Sequence, residues 1–191
     1  MSQHFSSVTD QRVADLIRSG SIAVIPTDTV YGIVARAADE AAVARLYALK
    51  PRENQPGTLI ASSVNDLAAL GLSLATLQRI EHYWPASLSV IIDAAAVPEY
   101  LKKTRTGLAV RIPEDPNLRA LLAQTGPLMT SSANPPTLPT ATTTDEAEAY
   151  FGESVPLYVD GGEIRDRPAS TIVGFGPDGA LTVVRQGAVK L

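Results

Sequence analysis

The side chains best suited to chemistry are two cations beside a proline and two polar groups much later in the chain. Lys50 and Arg52 flank Pro51 after a predicted helix, and Ser132 and Asn134 follow a predicted strand. Proline keeps the backbone extended, so both cations can point toward one target. Hydroxyl, amide and turn N–H groups can hold phosphate oxygens. These residues predict a polyanion site. The two cations by themselves could instead be a solvated helix end, and Ser132–Asn134 could be a plain turn.

Two further arginines lie near the ends of predicted strands. Arg111 interrupts the apolar segment 108–112. A buried guanidinium is costly unless an anion is paired with it, so we expect Arg111 to have an anionic partner. Arg185 follows the strand-like segment 181–184, and by itself it could be an ordinary surface arginine.

A polar segment also follows the first predicted strand. Thr27, Asp28, Thr29 and Tyr31 offer two hydroxyls, a carboxylate and a phenol. Ligands commonly bind where the strands of α/β sheets end. The same side chains could instead form a turn in which Thr and Asp bond their own backbone, and both interpretations stay open.

Several catalytic machineries are missing from the sequence. It has no cysteine, only two histidines, and none of the motifs G-x-x-x-x-G-K-[ST], G-x-G-x-x-G and G-x-S-x-G. We expect His4 to lie in a frayed terminus and His82 near a helix end, so a His-based triad or a zinc centre is not predicted. The remaining chemistry is electrostatic. It favours phosphoryl or nucleotidyl transfer, in which positioning and charge neutralisation supply most of the rate.

The composition predicts one globular domain. The 191 residues are 45% hydrophobic and carry a formal net charge of −4. This leaves material for a sizeable core and counts against indiscriminate nucleic-acid binding, which usually needs a basic excess. The first residues do not resemble a signal peptide, and no apolar run approaches the roughly 20 residues of a membrane span. We therefore expect a cytoplasmic protein.

Helical and strand patterns alternate along the chain. Helices are predicted to begin at the capping residues Thr9 or Asp10, Asp39, Ser63, Ser73 and Asp115 and near 145–151, with Gly20 and Gly126 as stops. Strands are predicted at 22–26, 58–61, 88–92, 108–112 and 128–131 and near Leu157, Thr171 and Leu181. The Pro- and Thr-rich segment 135–144 predicts a surface loop that could cover a pocket. Pro177-Asp178-Gly179 predicts a hairpin turn.

Six segments together resemble one known family. They read PTDTVYG at 26–32, KPR at 50–52, AVRIP at 109–113, SSAN at 131–134, STIV at 170–173 and VRQG at 184–187. In this order they are similar to the motifs of the YrdC-like threonylcarbamoyl-AMP synthases, from about Ser19 to Ala188. The resemblance implies an α/β fold in which a twisted, mixed β-sheet flanked by helices surrounds a large concave cavity. Because it matches the short members, we expect a single domain over 1–191 without an additional C-terminal domain.

The same resemblance implies a nucleotidyltransferase. L-Threonine, bicarbonate and ATP would give L-threonylcarbamoyladenylate and pyrophosphate, the first step toward the t6A base of tRNA. Mg²⁺ would enter with the ATP phosphates and not through protein ligands. A downstream threonylcarbamoyl transferase complex could take over the product.

Residue roles also follow from the resemblance, position by position. Lys50, Arg52, Ser132 and Asn134 match a catalytic tetrad around the nucleotide phosphates. Thr140 and Arg185 match further ATP contacts. L-Threonine would contact Thr29, Arg111, Thr130 and Ser170, with the guanidinium facing its carboxylate.

Some positions depart from the family pattern. Glu53 stands for a usual proline, Pro56 for Asn or Lys, and Ala61 for a frequent His near the threonine. Pro136-Thr137 replaces Ser-Gly, and the segment 84–89 reads WPASLS where the family has W-P-G-P-x-T. We expect these changes to affect an ATP contact and the lid more than the fold.

Two alternatives belong to other functional classes. A diverged paralogue could bind or hydrolyse nucleotide without forming the threonine adduct. An RNA-binding module could use the concave face to bind tRNA, although the net negative charge counts against it.

Overall fold

One mixed β-sheet organises the molecule. The computed structural model describes residues 1–51, 56–176 and 178–191. The strands in these residues are β1 (Gln3–Phe5), β2 (Ala23–Pro26), β3 (Tyr31–Arg36), β4 (Thr58–Ile60), β5 (Leu88–Asp93), β6 (Gly107–Arg111), β7 (Leu128–Ser132), β8 (Leu157–Val159), β9 (Thr171–Phe175) and β10 (Leu181–Arg185). They form a single sheet in the order β1-β8-β2-β3-β7-β4-β6-β5-β9-β10.

Helices flank this sheet. They are α1 (Gln11–Arg18), α2 (Glu40–Leu49), α3 (Val64–Ala68), α4 (Leu74–Ile80), α5 (Glu99–Lys102), α6 (Pro116–Thr125) and α7 (Thr144–Phe151), with 3₁₀ turns at Glu81–Tyr83 and Gly152–Ser154. Parallel pairs (β1–β8, β2–β8, β4–β6, β5–β9) occur beside antiparallel ones (β2–β3, β3–β7, β4–β7, β5–β6, β9–β10). The predicted α/β fold with a twisted mixed sheet is confirmed.

The alternation of side chains along the strands builds a hydrophobic core on each side of the sheet. In β2, Val24 belongs to one core, whereas Ala23 and Ile25 belong to the other. The second core is covered by α1 and α6, and the first contains apolar residues of α2, α3, α4 and α7. Both faces of the central strands are therefore buried, which explains their nearly continuous apolar sequences.

The predicted helix starts are confirmed by their caps. The side chains of Asp10, Asp39, Ser63, Ser73 and Asp115 each accept a backbone N–H in the first turn of the helix that follows. The same contact at Thr143 starts α7 at Thr144, so the predicted loop ends one residue earlier than expected. Strands β9 and β10 pair antiparallel, as the hairpin prediction requires, but Pro177 of its turn lies outside the described residues.

Among the strands and α-helices of the described residues, β1, β3 and the single turn α5 were not predicted. The prediction of a frayed terminus at His4 was wrong. His4 pairs with Tyr158 in the parallel β1–β8 ladder, its ring stacks on Tyr158 at 5.6 Å between centroids, and its Nε2 lies 3.2 Å from a Glu148 carboxylate oxygen. A three-residue strand paired with residues so distant in sequence leaves no local signal. Among the described residues, no helix has the length and apolarity to cross a membrane.

Candidate active site

A large cavity collects most of the predicted site residues. Its volume is about 970 Å³, and its walls come from the β2–β3 turn, β4, β6, β7, the loop after β7, and the β9–β10 hairpin. Eight of the predicted residues line it: Thr29, Arg111, Thr130, Ser132, Asn134, Thr140, Ser170 and Arg185. Lys50 lies behind this wall, and Arg52 lies outside the described residues. Segments that are distant in sequence thus meet in one place.

The charge of this cavity is positive. Three arginines line it, Arg105, Arg111 and Arg185, and none of its described lining residues is a carboxylate. In a chain with net charge −4, this cavity is a local concentration of positive charge, as the predicted anion site requires. Sequence reasoning missed Arg105, because a cation in a short exposed connection between α5 and β6 carries no distinguishing pattern.

Lys50 is a buried cation at the C-terminal end of α2. It is only 2% exposed. Its Nζ donates to the carbonyl oxygen of Ser132 at 2.9 Å, to Asn134 Oδ1 at 2.9 Å and to the carbonyl oxygen of Asn134. The interpretation as a solvated helix end is therefore wrong for Lys50. Instead, its charge lies directly behind the Ser132–Asn134 turn.

Asn134 connects this turn to the loop that follows it. Its Oδ1 accepts from Ser132 Oγ at 2.6 Å, and its Nδ2 donates to the carbonyl oxygens of Pro135 at 3.0 Å and Leu138 at 2.6 Å. Further along the loop, Thr140 reaches the cavity wall. The loop that was expected to cover a pocket is therefore anchored at the cavity by Asn134.

The β2–β3 turn is closed by its own hydrogen bonds and also lines the cavity. Thr27 Oγ1 accepts from the N–H groups of Thr29 at 3.3 Å and Val30 at 3.2 Å, and it donates to the Val30 carbonyl oxygen at 2.5 Å. Both threonine side chains face the cavity. The self-bonded turn is therefore confirmed. Its place on the cavity wall is compatible with the ligand-site interpretation, which stays a prediction.

Arg111 has the anionic partner that its sequence position required. Its Nη2 lies 2.9 Å from Asp28 Oδ1, with side chains that are 4% and 3% exposed. Burial lowers the pKa of Arg111, the carboxylate of Asp28 opposes this shift, and the nearby charge of Arg185 adds to it. The sequence predicted that a partner exists but did not identify Asp28.

Ser170 and Arg185 form the wall on the β9–β10 side. Arg185 Nη2 donates to the Ser170 carbonyl oxygen at 2.8 Å and lies 3.3 Å from its Oγ. Ser89 Oγ donates to Ser170 Oγ at 3.0 Å. On the opposite wall, Thr130 Oγ1 donates to the carbonyl oxygen of Ile33 at 3.3 Å. The hydroxyl residues Ser170 and Thr130 thus line the same cavity as Arg111 and Arg185.

Comparison with known proteins identifies relatives of this chain. The sequence model of the Sua5/YciO/YrdC family, described as "Telomere recombination", matches residues 15–187. Threonylcarbamoyl-AMP synthase of Chromohalobacter salexigens is 37% identical over 157 residues, covering 78% of this chain and 85% of that protein. The Stutzerimonas stutzeri protein of the same name is 33% identical over 155 residues, covering 79% and 84%.

Solved structures agree with this relationship. P. abyssi Sua5 complexed with L-threonine matches with a TM-score of 0.83 at 25% identity, over 97% of this chain. The chain spans 58% of the length of that protein. E. coli YciO matches with a TM-score of 0.83 over 100% of this chain and 98% of that chain, at 21% identity, which shows the shared fold alone. With the family match extending over most of its length, the chain belongs to the Sua5/YciO/YrdC family.

Proposed function

We propose that this protein is a threonylcarbamoyl-AMP synthase. It would join L-threonine, bicarbonate and ATP into L-threonylcarbamoyladenylate and release pyrophosphate, supplying the t6A modification of tRNA. The observation that carries the proposal is the cavity of about 970 Å³, in which arginines and hydroxyls from distant segments meet. This volume suits a nucleotide beside an amino acid. Relatives at 33% and 37% identity bear the name of this enzyme.

L-Threonine would bind beside Arg111. Its carboxylate matches the guanidinium, which offers several donors in a fixed plane. Its amine and hydroxyl match the side chains of Thr29, Thr130 and Ser170, which line the same cavity. Ala61, which is fully buried, stands where the family often has a His. The side-chain hydroxyls would therefore make a larger share of the contacts to L-threonine here.

ATP would bind along Ser132, Asn134, Thr140 and Arg185. Arg185 and the Ser132 hydroxyl face the phosphates, and we propose that Arg52 joins them. Lys50, the remaining member of the predicted tetrad, acts from behind the turn, where its charge raises the positive potential at Ser132 and Asn134 and fixes their positions. Mg²⁺ would be held by the phosphate oxygens, where it would neutralise part of their charge.

The reaction needs a carbamate and an in-line displacement. The amine of threonine takes up bicarbonate carbon with loss of water, giving a carbamate. A carbamate oxygen then bonds to the α-phosphorus as the bond to the β-phosphate oxygen breaks, and pyrophosphate leaves with the electron pair. The cationic guanidinium of Arg185 and the neutral donor hydroxyl of Ser132 would stabilise the charge that develops on the phosphoryl oxygens.

The product is a mixed anhydride that water would destroy. We propose that the loop 135–143, anchored by Asn134, shields it until a downstream threonylcarbamoyl transferase complex takes it up. The cavity is lined by strands of one sheet and by the loops that connect them, which supports our proposal that one domain performs the reaction. ATP, bicarbonate and tRNA meet in the cytoplasm, where we propose that the protein acts.

The test is pyrophosphate release with each substrate omitted in turn. Release should require threonine, bicarbonate and ATP together. Ser132→Ala should lower kcat by about 100-fold, and Arg111→Gln should raise the KM for threonine. Arg18→Gln, at an exposed position of α1, should leave the activity unchanged. Nucleotide hydrolysis that ignores threonine would overturn the proposal in favour of a diverged nucleotide hydrolase.

A further inference from the structure

One buried carboxylate, Asp28, joins three segments around the cavity. From the β2–β3 turn, its Oδ1 lies 2.9 Å from Arg111 Nη2 at the end of β6. Its Oδ2 accepts from Ser87 Oγ, just before β5, and from the Glu114 N–H, just after β6, both at 3.2 Å. Asp28 is not among the cavity-lining residues, whereas Arg111 is. Asp28 would therefore not contact a ligand in the cavity directly. It would influence the ligand through Arg111 and through its own negative charge.

The ion pair is close but incompletely hydrogen-bonded. Asp28 Oδ1 and Arg111 Nε are both buried, and neither has a hydrogen-bond partner among the described residues. Buried polar atoms without such partners are uncommon in folded proteins and call for an explanation. If the ion pair only stabilised the fold, a fully hydrogen-bonded ion pair or two apolar side chains would give greater stability. This points to a role in ligand recognition.

A second guanidinium lies nearby. Arg185 lines the same cavity as Arg111, and its positive charge lowers the pKa of Arg111. Two neighbouring guanidinium groups are a strong phosphate-binding arrangement. If Asp28 did not compensate the charge of Arg111, the polyphosphate of a nucleotide would span Arg111 and Arg185 and block the place of the amino acid. Arg111 has a buried carboxylate partner, Asp28, directly at its guanidinium.

We propose that Asp28 determines which substrate binds at Arg111. By neutralising this guanidinium, it reserves that part of the cavity for the amino acid and leaves the polyphosphate to Arg185 and Ser132. An amino acid brings a carboxylate and an ammonium and suits a neutral ion pair, whereas a polyphosphate is repelled by the carboxylate of Asp28. This inference rests on the proposed function, because it assigns the two substrates to neighbouring places in one cavity.

The first experiment uses the unaltered protein. Isothermal titration calorimetry measures the Kd of L-threonine with and without saturating inorganic pyrophosphate as the anion probe. The two values should agree within about twofold if the two ligands occupy separate places. Mutually exclusive binding in the unaltered protein would overturn the proposal without any variant.

The second experiment removes the charge and keeps the shape. In Asp28→Asn, the amide oxygen can still accept from Ser87 and Glu114. Pyrophosphate should now compete with threonine and raise its apparent Kd by at least about tenfold, a gain of anion binding that follows from unbalanced charge. Loss of folding alone cannot produce such a gain. Asp93→Asn, which alters an exposed carboxylate on β5, should behave like the unaltered protein.

A conservative variant separates charge from position. Asp28→Glu keeps the carboxylate and should preserve simultaneous binding of threonine and pyrophosphate, even if Asp28→Asn does not fold. Competition between threonine and pyrophosphate in Asp28→Glu would overturn the proposed role of Asp28 but not the proposed function. The absence of this competition in folded Asp28→Asn would do the same. Failure of the unaltered protein to bind threonine at all would instead overturn the proposed function, and this inference with it.

Discussion

At the scale of single residues, Lys50 shows how a cation can serve a site from inside the protein. Its Nζ donates to three oxygens of the Ser132–Asn134 turn, and its side chain is almost fully buried. A buried ammonium needs several acceptors to replace water. The turn that holds phosphate in our proposal and the lysine that fixes the turn are therefore one structural unit.

Replacing Lys50 should damage stability and activity together. Lys50→Met keeps much of the side-chain volume but leaves the carbonyl oxygens of Ser132 and Asn134 without this donor. The free energy of unfolding should fall by about 2–4 kcal/mol, as measured by urea denaturation, and pyrophosphate release should be lost. Lys190→Met, at an exposed position near the C-terminus, is the matched control. A Lys50→Met protein of normal stability would contradict the account of the buried ammonium.

Thr137 occupies a backbone conformation that suits glycine. Its φ is 71°, in the left-handed region that β-branched residues rarely adopt. This position corresponds to the Gly of the Ser-Gly pair in the family pattern. The loop therefore keeps a glycine-like backbone despite the substitution.

Thr137→Gly should relieve this strain. We expect the free energy of unfolding to rise by about 1 kcal/mol, since the gain at positive φ exceeds the added entropy of the unfolded chain. Urea denaturation measures the change. Thr9→Gly, at an exposed turn position outside the positive-φ residues, should lower stability slightly. A destabilised Thr137→Gly protein would show that the threonine side chain stabilises the loop.

At the scale of elements, the close approach of β4 to β7 shapes the cavity. Residues Thr58 and Thr130 face each other in this antiparallel pair. Next to them, a Cβ added at Gly57 would lie 2.3 Å from the Thr130 carbonyl oxygen. Only glycine allows this contact, and Gly57, Thr58 and Thr130 all line the cavity.

Gly57→Ala should therefore separate the two strands. Overpacking of this kind costs about 1–3 kcal/mol, and the displaced wall should also weaken threonine binding. Gly174→Ala is the matched change within β9, because its Cβ would meet nothing closer than 3.7 Å. Thermal unfolding and threonine titration of both variants test the prediction. Equal behaviour of the two alanine variants would contradict it.

At the scale of the whole molecule, buried tyrosines make stability sensitive to alkaline pH. Burial raises the pKa of Tyr47 to about 12, and burial also raises the pKa of Tyr158. The Tyr47 hydroxyl donates to the Leu101 carbonyl oxygen at 2.9 Å and so joins α2 to α5. The folded protein holds these phenol protons more tightly than the unfolded chain, whose tyrosines titrate near 10.

This linkage fixes the direction of the pH dependence. Because the folded pKa lies above the unfolded one, the stabilisation by Tyr47 is fully present below pH 10 and is lost as the pH rises toward about 12. Urea denaturation should show an unfolding free energy that falls across this window, with a shallower fall for Tyr47→Phe. An identical slope in the variant would exclude the buried phenol as its cause.

Local signals explain which parts of the structure the sequence predicts. The caps at Asp10, Asp39 and Asp115 and the apolar strands are short-range patterns, and the structure confirms them. Strand β1 depends on pairing with the distant β8 and leaves no such pattern. The β2–β3 hairpin was missed because its turn, around Asp28, reads like the polar end of a strand.

The residues of the candidate site also fall into those that the sequence predicts and those that it does not. Motif resemblance located the cavity residues Arg111, Ser132 and Arg185, which the fold brings together. Arg105 and the pairing of Asp28 with Arg111 depend on contacts between separate elements. Such contacts are set by the tertiary structure, and no spacing in the sequence encodes them.

The most direct test follows the carbon of bicarbonate. The protein is incubated with ATP, L-threonine and carbon-13 bicarbonate, and the adenylates formed are analysed by mass spectrometry. The account predicts threonylcarbamoyl-AMP that carries the label in its carbamoyl group and forms together with pyrophosphate. Unlabelled AMP or ADP as the only nucleotide product would contradict the central claim.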